Sequence, residues 1–294
     1  MNYTIENQFL KVDIADRGAE MMSILGKKTG FEYLWQGDAT YWASRASVLF
    51  PICGRLTEGK YTFEGKTYEM ILHGFAKLST FDVVAHNRES ITFELRANDE
   101  TRAMYPFDFI FRMTYTLEGA TIKNAFEVVN PMADRALPFS VGGHPGFNIP
   151  FCEGEAFEDY YLEFACRREC RKLVMSPTCY YTGETEPMTL EDGKILRLEH
   201  SLFDNDAIFL QDMCRKVSLK STKNDRAVTV EWDDMTHVGF WQKPHTDAPY
   251  VCIEPWHGVP AYDGKIDDFA TKAEMMHLPA GETYHNVFTI TVTE

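Results

Sequence analysis

Two stretches of this chain place titratable side chains where packing alone does not call for them. The first is Pro249-Tyr250-Val251-Cys252-Ile253-Glu254-Pro255-Trp256-His257-Gly258. An apolar run of strand character delivers a single carboxylate, Glu254, directly before a proline. Proline has no N–H for a ladder, so the spacing predicts that the strand ends at Pro255 and that Glu254 sits at the lip of a sheet. Trp256 and His257 beside it predict a wet, aromatic-walled pocket. The plainer alternative is an edge-strand glutamate paired with a lysine or arginine. The second stretch is Leu137-Pro138-Phe139-Ser140-Val141-Gly142-Gly143-His144-Pro145-Gly146-Phe147-Asn148. Its glycines strip bulk from around the His144 imidazole, and its Pro-Gly constrains the backbone, which predicts a turn approached closely by a ligand. A glutamate with its ordinary pKa of about 4.3 is an ionised base at neutral pH, and a histidine near 6.5 is partly protonated. Glu254 and His144 are therefore each candidates for a functional role.

Two further stretches interrupt strand-like sequence with polar groups. In Leu49-Phe50-Pro51-Ile52-Cys53-Gly54-Arg55-Leu56, an arginine follows a glycine just before a hairpin. In Ile71-Leu72-His73-Gly74-Phe75-Ala76, His73 follows that hairpin, and Gly74 permits a sharp change of direction. Taken singly, a loop arginine and a structural histidine account for these two. His86, His200, His237, His245, His277 and His285 lie in polar or mixed surroundings and are expected to be solvated.

The elements that position these residues read as strands along the whole chain. Residues 9–14 and 91–96 alternate, and residues 60–63 and 66–70 flank Glu64-Gly65 as a hairpin. Residues 109–117 carry apolar side chains at every second position, and residues 122–128 return from the turn at Glu118-Gly119. Further strands are predicted over residues 160–164, 207–210, 228–232, 238–241 and 288–292. Helix is confined to a turn or two over residues 99–105, stopped by Pro106, and over residues 270–276. This pattern predicts an all-β fold, a large antiparallel β-sandwich with few short helices, formed by residues 1–294 as a single domain.

Composition supports a folded chain with a large core: 294 residues, 45% hydrophobic and 14% aromatic. A net charge of −15, with no basic run, argues against nucleic acid and anionic membrane as partners. No apolar run approaches the roughly 20 residues of a membrane-spanning helix. The first residues show no signal-peptide pattern. The seven cysteines lack paired zinc-site spacings, so reduced, mostly buried thiols and a cytoplasmic location are expected.

Arg55 ahead of the hairpin, His73-Gly74, Gly142-Gly143-His144-Pro145 and a late Glu254, in that order on an all-β background, resemble the aldose 1-epimerases (galactose mutarotases). The segments Phe50-Pro51-Ile52-Cys53-Gly54-Arg55 and Cys252-Ile253-Glu254-Pro255-Trp256-His257-Gly258 are most similar to the LacX-like branch. The resemblance spans nearly the whole chain. It implies a galactose mutarotase-like supersandwich with a sugar held in an open cleft, and an isomerase needing no cofactor and no metal. It gives His144 the role of general acid on the ring oxygen and Glu254 that of base on the anomeric hydroxyl. His73 and Arg55 match groups that orient the sugar, and Trp241 matches a pocket-wall aromatic. Asp206, or alternatively Asp204, matches an aspartate that grips sugar hydroxyls. Phe75, Phe147, Trp241 and Trp256 offer apolar faces to sugar C–H surfaces.

Mutarotation so assigned predicts a bell-shaped pH profile, with the alkaline limb set by His144 and the acid limb by Glu254. It requires both groups to face one cleft, separated by about the width of a sugar's C1–O5 edge with a hydrogen bond on each side, each roughly 2.6–3.2 Å. Three other activities fit some of these residues. A glycosidase would use Glu254 with Asp206 but leaves His144 idle. A metal centre would use His73, His144 and Glu254. A sugar-binding protein would keep the fold without the rate. Within the epimerase reading, a phosphorylated hexose would draw on Arg45, Lys77 and Lys243, a thin set of cations that favours a neutral aldohexose.

Overall fold

In the strands Ile110–Glu118 and Thr121–Val129 every second side chain is buried. Each strand therefore turns one face to a core and one to water. The computed structural model describes residues 1–294. These two strands lie within a nine-stranded sheet, in which Thr121–Val129 also pairs with the long strand Thr283–Thr293. A second sheet has seven strands in the order Tyr181–Met188, Cys170–Met175, Ile208–Gln211, His237–Trp241, Tyr250–His257, Val141–Asn148 and Ala46–Leu49. Both sheets are antiparallel throughout.

The sheets pack face to face. Phe50, just beyond the strand Ala46–Leu49, stacks on Phe111 at 4.5 Å between ring centroids, and Phe164 meets Phe240 at 6.0 Å. One continuous cluster of buried apolar side chains includes residues of both sheets. The fold is thus the expected antiparallel β-sandwich. Its one α-helix, Asp99–Met104, falls where the sequence places it. Asn98 caps it by accepting from the Thr101 N–H at 2.9 Å. No helix is long and apolar enough to cross a membrane.

Four expectations are corrected. The strand Tyr250–His257 does not stop at Pro255 but runs through it, with Pro255 opposite Val238. Residues 137–148 do not form a turn. They form the strands Leu137–Phe139 and Val141–Asn148, the latter buried along nearly its whole length. The glycines of that strand make room for aromatic rings rather than for a bend. A Cβ at Gly142 would stand 2.6 Å from Trp256 Cδ1, and one at Gly143 would stand 2.7 Å from Phe288 Cζ. Residues 270–276 are turns instead of helix, because the chain is drawn into the strand Met276–Leu278 paired with Leu137–Phe139. Finally, Cys166 and Cys214 form a disulfide with Cα atoms 6.0 Å apart. Pairing of the strand Cys170–Met175 with Ile208–Gln211 brings these two distant loops together.

Candidate active site

The site grows from the alternation of two neighbouring strands. On Tyr250–His257 the odd residues Val251 and Ile253 belong to the inter-sheet core. The even residues Tyr250, Cys252, Glu254 and Trp256 therefore point to the other face. On Val141–Asn148 Gly143 faces Phe288 of the nine-stranded sheet, so His144 faces away from it. The register pairs Gly142 with Trp256 and Gly146 with Cys252, which by count sets His144 opposite Glu254. Ladder partners are missing between those two pairs, where Pro145 and Pro255 withdraw their N–H groups. The two prolines thus interrupt the ladder beside His144 and Glu254 without ending either strand.

His144 and Glu254 face one cavity as expected, but they stand closer than a sugar edge with a hydrogen bond on each side would set them: His144 Nε2 lies 3.4 Å from Glu254 Oε2, with Glu254 1% and His144 7% exposed. Burial drives the two pKa values apart. It raises the Glu254 carboxyl well above the usual carboxylate range, with the charge of Asp206 adding to the effect. It lowers the His144 imidazole to about 3, with Lys77 pushing the same way. Glu254 Oε1, His144 Nδ1 and Trp256 Nε1 are buried without a partner in the protein. Three orphaned polar atoms in one place mark a position where a polar ligand would complete the hydrogen bonding.

Above the pair opens a cavity of about 660 Å³. Of the residues singled out from sequence, it brings together Glu254, His144, His73, Arg55, Asp206 and Trp241. His73 holds a left-handed backbone, φ +65°, and is locked to Gly54 in both directions. Its N–H donates to the Gly54 carbonyl at 2.8 Å, and its Nδ1 accepts from the Gly54 N–H at 3.1 Å. Burial, and then His144, keep His73 far below the usual histidine range, so it is neutral with its proton on Nε2. The next residue, Gly74 at φ +74°, touches the Phe50 carbonyl so closely that a Cβ would stand 2.2 Å from it. Across the cavity Asp206, also left-handed, accepts from Trp241 Nε1 at 2.7 Å and pairs with Arg55 at 3.4 Å. Asp204 instead pairs with His245 and lines a separate shallow depression.

Other expectations fail here. Phe75 does not reach the cavity. The left-handed turn at His73 and Gly74 throws its ring into the core, 2% exposed and against Phe50 and Phe109. Phe147, odd-numbered like Gly143, also belongs to the core. His257 turns away to the Asp234 carbonyl at 3.1 Å, and His237 is buried rather than solvated, its pKa lowered to about 4. Of the three cations considered for phosphate, only Lys77 lines the cavity. Arg45 donates to the Gln36 carbonyl and Lys243 to the Thr40 carbonyl. The sequence reading missed Trp42 and Phe209. Trp42 lies over His144 at 4.9 Å between ring centroids, and Phe209 packs on Trp256 at 4.7 Å. Trp42 sits in a loop without strand periodicity, and its only signal was a tryptophan in polar sequence. The donor set a metal would meet is also different. His144, Cys252 and Glu254 have ligand atoms within 4.8 Å of one another, and His73 is not among them.

The aldose 1-epimerase family model matches residues 1–291. The chain belongs to that family. It is 34% identical over 266 residues to the protein LacX of Lactococcus lactis subsp. lactis, covering 88% of each chain. Its fold superposes on a galactose mutarotase related enzyme from Lactobacillus acidophilus with a TM-score of 0.95 and 39% identity, covering 100% of this chain and 98% of that one. A galactose mutarotase-like protein from Lactobacillus casei ATCC 334 gives 0.94 and 31%, with both chains covered in full. The architecture is accordingly the galactose mutarotase-like fold. Membership of the family brings a mutarotase-type isomerase function and a sugar as the substrate class.

Proposed function

We propose that this chain, acting as one domain, is a cofactor-independent aldose 1-epimerase that interconverts the anomers of a hexose. The observation that carries the reading is the buried His144–Glu254 pair, face to face at 3.4 Å on adjacent strands beneath the cavity. Burial penalises a lone charge on either group, so the favoured composition is the net-neutral one with a single transferable proton. A carboxylic acid beside an imidazole and a carboxylate beside an imidazolium are two forms of that same composition.

With sugar bound, Glu254 in its carboxylate form takes the proton from the C1 hydroxyl. The imidazolium of His144 gives its proton to the ring oxygen as the C1–O5 bond breaks. The free aldehyde rotates about C1–C2 and recloses through its other face. His144 then recovers the proton from the C5 hydroxyl as Glu254 returns one to the C1 oxygen. Protons balance in each direction. His73 donates from Nε2, Arg55 and Asp206 hold hydroxyls, and Trp241, Trp256 and Trp42 supply apolar surface. Each proton-transfer group is expected to contribute on the order of 10²–10⁴-fold.

The test follows the optical rotation of a freshly dissolved α-aldose. Glu254→Gln and His144→Asn are each expected to lower the rate by at least about 100-fold. Wild-type rates in both variants would sink the assignment. Tight sugar binding by the native protein with no rate above buffer would mark a binding protein, and release of a new reducing end from an aryl glycoside would mark a glycosidase.

A specific observation favours a second reading of the substrate. Arg17 and Lys77 both line the cavity, and neither forms a salt bridge. Unpaired cations there suit a phosphorylated hexose, whose phosphate would meet them. Rates on glucose, galactose and glucose 6-phosphate decide between the two. A KM at least about tenfold lower for the phosphate ester selects the second reading, and equal or higher values retain the neutral aldose.

A further inference from the structure

Behind the cavity wall lies a buried lysine that the proton chemistry does not use. Lys272 has a side chain 2% exposed, and its Nζ donates to two successive carbonyls, Val259 at 2.9 Å and Pro260 at 3.2 Å. Its counter-ion is Asp267, fully buried, at 3.7 Å. Burying an ammonium is costly even when paired, and a well-packed apolar side chain would usually serve stability at least as well. The lysine therefore calls for an explanation in what it holds.

What it holds is the segment over residues 258–263, which leaves the end of the Glu254 strand. Two adjacent buried carbonyls there have no strand partner, and one ammonium, with three donors, can satisfy both. The same segment is tied to the sugar-facing wall. The Ala261 N–H donates to the Arg55 carbonyl at 2.9 Å. Pro260 lines the cavity and packs on Gly54 so tightly that a Cβ there would lie 2.7 Å from Pro260 Cγ. Gly54 is in turn the residue whose N–H fixes the His73 tautomer. Lys272 thus holds Pro260 by its carbonyl, Pro260 packs on Gly54, and Gly54 and Ala261 connect the segment to His73 and Arg55.

Resting on the mutarotase reading above, we propose that Lys272 is a positioning residue: through the Val259 and Pro260 carbonyls it sets the wall that presents Arg55 and His73 to the sugar. Its effect falls on sugar binding rather than on proton transfer, because the wall carries the orienting groups and the His144–Glu254 pair rests on strands of its own.

The experiment compares Lys272→Met, Lys272→Gln and Lys272→Arg with the native protein, measuring kcat and KM by polarimetry alongside thermal midpoints. Lys272→Met is expected to raise KM about tenfold or more while kcat stays within about threefold. The glutamine, with an amide donor, should fall between, and the arginine should restore KM most of the way. A folded methionine or glutamine variant with native KM overturns the proposal, whatever its thermal midpoint. A fall in kcat at unchanged KM overturns it too. Failure of both variants to fold assigns Lys272 to folding alone and overturns it as well. A native protein without any rate defeats the mutarotase reading instead. Sugar affinities from calorimetry on the same variants then test the positioning role separately.

Discussion

With Glu254 1% exposed and His144 7% exposed, neither side chain can be left alone with a charge at modest cost. His144 resists a second proton until the pH approaches about 3, whereas Glu254 releases the shared one only well above the ordinary carboxylate range. The rate should therefore be level through neutrality, fall on the acid side as His144 protonates, and fall on the alkaline side as Glu254 ionises. These limbs belong to the pair as a coupled unit. A profile of kcat/KM against pH checks this, and an acid limb near the ordinary glutamate pKa with an alkaline limb near the ordinary histidine pKa would contradict it. That reverses the order the sequence suggests, because ordinary pKa values describe solvated groups and a sequence does not display burial. Linkage gives a second prediction. A carboxyl whose folded pKa is raised binds its proton more tightly in the native state. Its stabilising contribution is full below about pH 4.3 and is lost as pH rises through the folded value. Glu254→Gln has no such loss, so its thermal midpoint should gain on the native protein's as pH rises from about 5 to 8. A midpoint difference independent of pH would count against the raised pKa.

Among the elements, the strand Val141–Asn148 shows why a site can be visible while its frame is not. Ile110–Glu118 and Thr121–Val129 alternate because one face is wet, and periodicity finds them. Val141–Asn148 is covered on both faces, so it has no alternation, and its glycines and single proline read as a bend. Only the structure supplies the reason for those glycines, the rings of Trp256 and Phe288. Phe75 failed for the opposite reason, since a position next to a site residue does not say which way a left-handed turn directs the following ring. The glycine argument predicts a separation of effects. Gly143→Ala forces a methyl against Phe288 in the inter-sheet core, a fully packed region, and should cost about 1–3 kcal/mol. Gly143 points away from the cavity, so KM should remain within about twofold of native. Urea denaturation and polarimetry on one preparation test both halves, and an unchanged denaturation midpoint would mean that Phe288 yields freely.

At the scale of the molecule, the seven-stranded sheet carries the site but runs out at one edge into the pair Cys170–Met175 and Tyr181–Met188. Met175 and Phe209 line the cavity from this side, on the strands Cys170–Met175 and Ile208–Gln211. Only two ladder pairs join those two strands, Arg171 with Gln211 and Lys172 with Leu210. The Cys166–Cys214 disulfide bridges the loops that adjoin them, across a sequence separation of 48 residues. Scattered, unpaired spacings gave no sign of this bond, because proximity across a sheet is set by strand order and not by distance along the chain. A covalent tie closing a loop of that length restricts the unfolded chain and is expected to contribute up to about 4 kcal/mol. Denatured without reductant, the protein should therefore react with a thiol reagent at five cysteines, Cys53, Cys152, Cys170, Cys179 and Cys252. Reduction should lower the thermal midpoint by several degrees and raise KM more than it lowers kcat, since the tie supports the cavity wall and not the His144–Glu254 pair. Seven reactive thiols in the protein as purified would rule the bond out, and an unchanged KM after reduction would show that the two ladder pairs hold the wall unaided.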